Sequence, residues 1–141
     1  MTDILISNES MQYINMATKI LKIDILDCIV TDDRLIFIIK KGNLGIAIGT
    51  KGKNLEKLRN LFKKNIKFVE LDDNKEKFIQ NLCKPYKINN ITIEGSGDST
   101  VVKIEANTSD KSKLIGKGGS NIDIIRKLAH RHHSIKDVQI K

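Results

Sequence analysis

Gly49-Thr50-Lys51-Gly52 and Gly116-Lys117-Gly118-Gly119 form two glycine turns, 67 positions apart, each running into a basic helical segment. Residues of this type and spacing can hold a phosphate. Glycine leaves no side chain between a ligand and the main chain. The first N–H groups of a following helix lack intrahelical partners and carry roughly +0.5 of an elementary charge. The frame around the turns also repeats: Ile48 aligns with Ile115, Leu55 with Ile122, Leu58 with Ile125, Arg59 with Arg126 and Leu61 with Leu128. A single GxxG can be no more than a sharp corner between helices. Two copies in the same apolar frame favour a shared ligand chemistry.

The flanking side chains fit that chemistry. Lys51 and Lys53 in the first copy and Lys117 in the second add screened attraction to phosphates. Gly118 stands where the first copy has Lys51, which predicts a less charged, more flexible second turn. Ile48 and Leu55, with Ile115 and Ile122, are read as apolar surface for bases. Asn54 and Asn121 fall in the first helical turn, where an amide can bond the turn backbone or a ligand. Ser120 takes the place of Lys53.

The net charge of +8 is concentrated around these turns. Residues 49–67 hold seven Lys/Arg against Glu56 alone, a net of +6; residues 111–133 hold six against Asp123, a net of +5. The remaining sequence is therefore about −3, so the positive potential marks the turn-and-helix units. Aromatic residues make up only 4% of the chain, which disfavours stacking platforms for bases.

Other chemistry finds little support. Cys28 and Cys83 lie in no metal spacing and read as small packing residues. His130, His132 and His133 lack a third ligand type nearby and are expected to be solvated basic decoration at a helix end, with no metal. Asp32-Asp33 and Asp72-Asp73 fall in turn sequences. There is no nucleophile–base pairing and no GKS/T phosphate loop, so no enzyme activity and no cofactor are expected. No apolar run reaches the ~20 residues needed to cross a bilayer. The N-terminal MTDILISNES lacks the features of a signal peptide, which gives a cytoplasmic expectation.

The elements that must position the turns follow from periodicity. Helical spacing covers 9–22, with Met11, Ile14, Met16, Ala17, Ile20 and Leu21 as its apolar set and Ser7 or Asn8 as cap. Strands at 24–31 and 34–40 flank Asp32-Asp33; the short apolar segment 44–48 leads to the turn; a helix at 52–64 and a strand at 66–71 complete the unit. The order then repeats with a helix at 74–83, strands at 88–94 and 100–106, helices at 108–115 and 119–132, and a strand around Val138 and Ile140. The fold class is α+β, in two domains, 1–73 and 74–141, each a three-stranded sheet packed against helices. Cores of about 70 residues are marginal alone, so the halves are expected to pack in a fixed arrangement across their short connection.

Ile-Gly-x-x-Gly-x-x-Leu/Ile between two helices beside a three-stranded sheet resembles the KH domain. The position of a helix and two strands before the motif resembles its type II form. Two such units filling nearly all of the chain resemble the archaeal NusA-like transcription factors. For bacterial members the resemblance implies polymerase-binding and OB-type domains ahead of the KH pair, and neither is expected within these 141 residues.

The resemblance implies a clamp on about four nucleotides of single-stranded RNA at each GxxG. By it, the RNA-binding residues are Ile48, Gly49, Thr50, Lys51, Gly52, Lys53, Asn54 and Leu55, then Ile115, Gly116, Lys117, Gly118, Gly119, Ser120, Asn121 and Ile122. It implies action in termination, antitermination or elongation, with RNA polymerase or other transcription factors as candidate partners. A KH-type role in ribosome assembly or the ribosome is the alternative. One RNA strand engaging both turns is expected, bound by a monomer. Neutralising about 3–5 phosphates gives a log–log salt slope of about −2 to −4.

Overall fold

The computed structural model describes residues 7–141; the signal-peptide reading rests partly on residues outside that range. The chain divides into two compact units, with the division between Asp72 and Asp73. Among the described residues no helix is long and apolar enough to cross a membrane.

The first unit opens with α1 (Asn8–Leu21), started by Ser7, whose side chain accepts from the Ser10 N–H at 3.1 Å. Its inward face is Ile14, Ala17 and Leu21. Met11 and Met16, expected on that face, are instead exposed, because the stripe is narrow and follows the i, i+3, i+7 positions. Lys22 closes the helix in the left-handed region, its N–H donating to the Thr18 carbonyl.

β1 (Ile25–Val30) and β2 (Arg34–Ile39) pair antiparallel. Thr31 Oγ1 stabilises their turn by accepting from the Arg34 N–H at 2.9 Å. The chain then crosses over through α2 (Leu44–Ile48), one 3-10 turn (Thr50–Gly52) and α3 (Lys53–Phe62). β3 (Asn65–Glu70) returns parallel to β2, from Arg34↔Asn65 to Ile39↔Glu70, as a crossover connection requires. Leu35, Phe37 and Ile39 of β2 meet Ile14, Ala17 and Leu21 of α1, with Ala47 and Leu58 from the two turn helices. Each fully buried large side chain in this cluster contributes roughly 1.5–3 kcal/mol. Tyr13 packs edge-on against Phe62 at 5.0 Å, fixing α3 against α1.

The second unit repeats this topology. Asn74 caps α4 (Lys75–Cys83) by accepting from the Lys77 N–H. β4 (Asn90–Glu94) and β5 (Val101–Glu105) are antiparallel, and β6 (Asp137–Ile140) lies parallel to β5. Between β5 and β6 come α5 (Thr108–Ile115), a 3-10 turn (Lys117–Gly119) and α6 (Ser120–His133). Val102, Ile104, Leu114, Ile125, Leu128 and Val138 are buried.

The repeat is not uniform. α4 has 9 residues where α1 has 14, and β4 is correspondingly open. α6 has 14 residues where α3 has 10, so the closing strands fall out of the 67-residue register. The extra turn changes what aligned residues do: Leu128 is fully buried, whereas Leu61 is 48% exposed in the last turn of α3, whose inward face is Leu55, Leu58 and Phe62.

The histidines also depart from expectation. His132 and His133 are half-buried, with their rings 5.8 and 5.3 Å from that of Phe78, so they pack the end of α6 against α4 rather than face solvent. His130 Nδ1 lies 3.3 Å from the Ile135 carbonyl. Among the described residues no group of three or more His, Cys, Asp and Glu could hold a metal ion.

Candidate nucleic-acid interface

Both turns begin where a short helix stops. The Gly49 N–H donates to Gly45 O and the Gly116 N–H to Ser112 O, at 2.9 and 3.0 Å. The chain then enters backbone regions that L side chains rarely adopt. Gly49 has φ 79° and ψ 170°, Gly116 φ 76° and ψ 170°. This region is essentially closed to residues other than glycine. The close approach of the next helix reinforces the requirement: a Cβ on Gly49 would stand 2.9 Å from Asn54 Cγ and 3.0 Å from Asn54 N, and one on Gly116 2.9 Å from Asn121 N.

The second halves of the turns are left-handed. Lys51 (φ 56°, ψ 27°) and Gly52 (73°, 17°) match Gly118 (63°, 20°) and Gly119 (78°, 11°). The two turns therefore share one backbone conformation. Lys51 adopts it at a steric cost of about 1–2 kcal/mol that Gly118 avoids. Lysine at this position places a charge on the turn at the expense of local stability, and glycine does the reverse.

The next bonds, Gly52 N–H to Gly49 O at 3.0 Å and Gly119 N–H to Gly116 O at 3.1 Å, start the new helical run. Ahead of them lie the N–H groups of Thr50 and Lys51, and of Lys117 and Gly118. They stand where a helix start leaves donors without carbonyl partners, as an anion site requires. Thr50, Lys51, Lys53, Lys117, Gly118 and Ser120 are exposed; Ile48, Gly49, Gly52, Asn54, Leu55, Ile115, Gly116 and Gly119 are half-buried.

Two proposed contact residues are not on the surface. Ile122 is 5% exposed and lies on the inward face of α6 with Ile125 and Leu128, so it supports the turn from the core and offers no surface to bases. Asn121 is 9% exposed, and its Nδ2 donates to the Leu114 carbonyl at 2.8 Å. Asn54 behaves alike, donating from Nδ2 to the Ile46 carbonyl at 2.8 Å. The two amides therefore bond the backbone just before each turn.

Some contributors were hidden in the sequence. Ile46, on α2, is 54% exposed and gives the first turn an apolar neighbour. Five helical residues are too few for periodicity to show which one faces outward. Glu70, at the end of β3, accepts from the Gly42 N–H and, at 3.4 Å, from the Leu44 N–H, so a carboxylate from a distant strand caps α2. No local motif announces such a cap.

The charge around the turns also sorts itself. Lys51, Lys53, Lys57, Arg59 and Lys63 are exposed on the first unit and form no ion pair among the described residues. Lys64 is spent on the β1–β2 turn, its Nζ donating to the Thr31 and Asp32 carbonyls at 2.7 Å. On the second unit Arg126 is held by Asp123, Asp137 and the Val138 carbonyl, so it ties α6 to β6. Its aligned partner Arg59 remains open.

Comparisons with known proteins identify the family of both units. Residues 75–140 match the NusA-like second KH domain and residues 9–73 match the KH domain. A "Probable transcription termination protein NusA" from Halobacterium salinarum is 31% identical over 135 residues, covering 96% of each chain. One of the same name from Methanocaldococcus jannaschii is 29% identical over 140 residues, covering 99% of this chain and 76% of that protein. The crystal structure of APE1850 matches with a TM-score of 0.76 and 32% identity, covering 96% of this chain and 100% of that one. Family matches to both halves and relatives aligned nearly end to end lead to one conclusion: this chain belongs to the archaeal NusA-like family of tandem KH proteins.

Proposed function

We propose that this protein binds single-stranded RNA through its two GxxG turns and acts in transcription, at termination, antitermination or elongation. The observation that carries the reading is the pair of turns with one backbone conformation, each presenting main-chain donors between two helices. Phosphates are the ligands such donors fit, and exposed lysines beside the first turn add long-range attraction. The transcription role is supported by the name its relatives carry. RNA is the direct partner, RNA polymerase or another transcription factor a candidate protein partner, and the working form a cytoplasmic monomer. No catalytic step is assigned.

The contact set follows from exposure together with packing, since Leu55 lies against the core and Asn54 bonds the backbone: Gly49 to Lys53 with Ile46 and Ile48 in the first unit, and Ile115 to Ser120 in the second. Asn54, Leu55, Asn121 and Ile122 support it from behind. Crosslinking RNA to the protein in cells and sequencing it tests the role. Nascent messenger or ribosomal precursor RNA is the expected catch. Mature ribosomal RNA, with co-sedimentation on ribosomal subunits, would instead establish the ribosomal reading.

A further inference from the structure

We infer that Asn54 and Asn121 are positioning residues that staple each GxxG turn into its phosphate-binding shape; the inference rests on the RNA-binding reading above. The last carbonyls of a helix have no intrahelical donor. At the ends of α2 and α5 one such carbonyl, Ile46 O or Leu114 O, receives the Nδ2 of an asparagine from the second position of the next helix, at 2.8 Å in both units. One side chain therefore bridges the helix before the turn to the helix after it.

The staple and the first glycine depend on each other. A Cβ on Gly49 would come within 2.9 Å of Asn54 Cγ and Nδ2, and one on Gly116 within 2.9 Å of Asn121 Cβ. The asparagine thus occupies the space that glycine leaves, and it holds the crossing of the two helices from which the turn donors project. Binding a phosphate to amides already in place avoids the entropy of ordering them.

The two staples are not equivalent. Asn121 and Leu114 are both buried, whereas Ile46 is exposed, so water competes with the Asn54 bond and not with the Asn121 bond. The less charged second turn, expected from Gly118 to be the more flexible, is therefore the better fixed one, because its staple is buried. The bonds also differ in reach, since Asn54 goes back eight residues and Asn121 seven.

The test compares Asn54→Ala and Asn121→Ala with the native full chain, by NMR relaxation without RNA and by affinity for a single-stranded RNA oligonucleotide. Native order parameters of ~0.85 are expected at Thr50, Lys51, Lys117 and Gly118, falling to ~0.6 at the turn whose asparagine is lost. Core amides such as those of Phe37 and Val102 should stay unchanged. Affinity should fall about threefold for Asn54→Ala and about tenfold for Asn121→Ala.

Turn amides that stay ordered in the variants would overturn the proposal whatever happens to affinity, because the asparagine would then act on the ligand or not at all. Asn54, partly open to solvent, supplies a folded variant if loss of the buried Asn121 amide unfolds its unit. If native binding is indifferent to Thr50→Asp with Lys51→Asp, the phosphate reading itself fails and takes the proposal with it. Native sensitivity combined with unaltered Asn variants defeats the staple alone.

Discussion

Gly49→Ala and Gly116→Ala are each expected to destabilise their unit by about 3 kcal/mol or more, seen as a lowered midpoint in thermal unfolding followed by circular dichroism. Two costs combine. A residue other than glycine at φ near +79° and ψ 170° is strained by about 1–3 kcal/mol. The added Cβ would also press on the backbone N of Asn54 or Asn121, at 3.0 or 2.9 Å, which moves only if α3 or α6 moves. A unit of about 70 residues has roughly 4–10 kcal/mol in total, so the loss is a large fraction.

Gly52→Ala supplies the control. It has φ +73° but nothing within 4 Å of a Cβ, so only about 1–2 kcal/mol of left-handed strain applies. Equal destabilisation at Gly49 and Gly52 would contradict the account of the first glycine.

The second large effect concerns binding. Thr50→Asp with Lys51→Asp, and separately Lys117→Asp with Gly118→Asp, each change the local charge by −3 beside the proposed phosphate donors. At moderate salt a unit charge near a phosphate is worth roughly 0.5–1 kcal/mol, so affinity for single-stranded RNA should fall about ten- to hundredfold. The fold should survive, because aspartate tolerates the left-handed conformation and all four side chains are exposed or absent in the native chain. The drop should be larger at the first turn, where Lys51 sits among Lys53, Lys57 and Arg59. Filter binding at two salt concentrations measures both points, and unchanged affinity in both variants would contradict them.

Much of this architecture is legible in the sequence because the repeat fixes it twice over. Each glycine turn lies between apolar segments whose periods identify strand or helix, and each copy checks the other. The short helix at 108–115 and the strand pairs that precede each turn fall within a few residues of expectation.

What escapes is set by tertiary contacts. Leu61 and Leu128 align, yet one is exposed and the other buried because α6 runs a turn longer than α3. Ile122 looks like a base-contacting residue from its place after the motif, but the inward face of α6 claims it. Glu70 caps α2 from 26 residues away, and His132 and His133 are drawn onto Phe78. No local pattern encodes these placements. The turn backbone itself was readable, since glycine at the first and fourth positions announces a conformation other residues avoid.

On the reading proposed above, main-chain donors of the two turns meet RNA phosphates. Titrating the isotope-labelled protein with a single-stranded RNA oligonucleotide and following the amide resonances tests it most directly. The largest shifts are expected at Thr50, Lys51, Lys117 and Gly118, diminishing as salt is raised. Saturating RNA that leaves those four amides in place while moving others would contradict it.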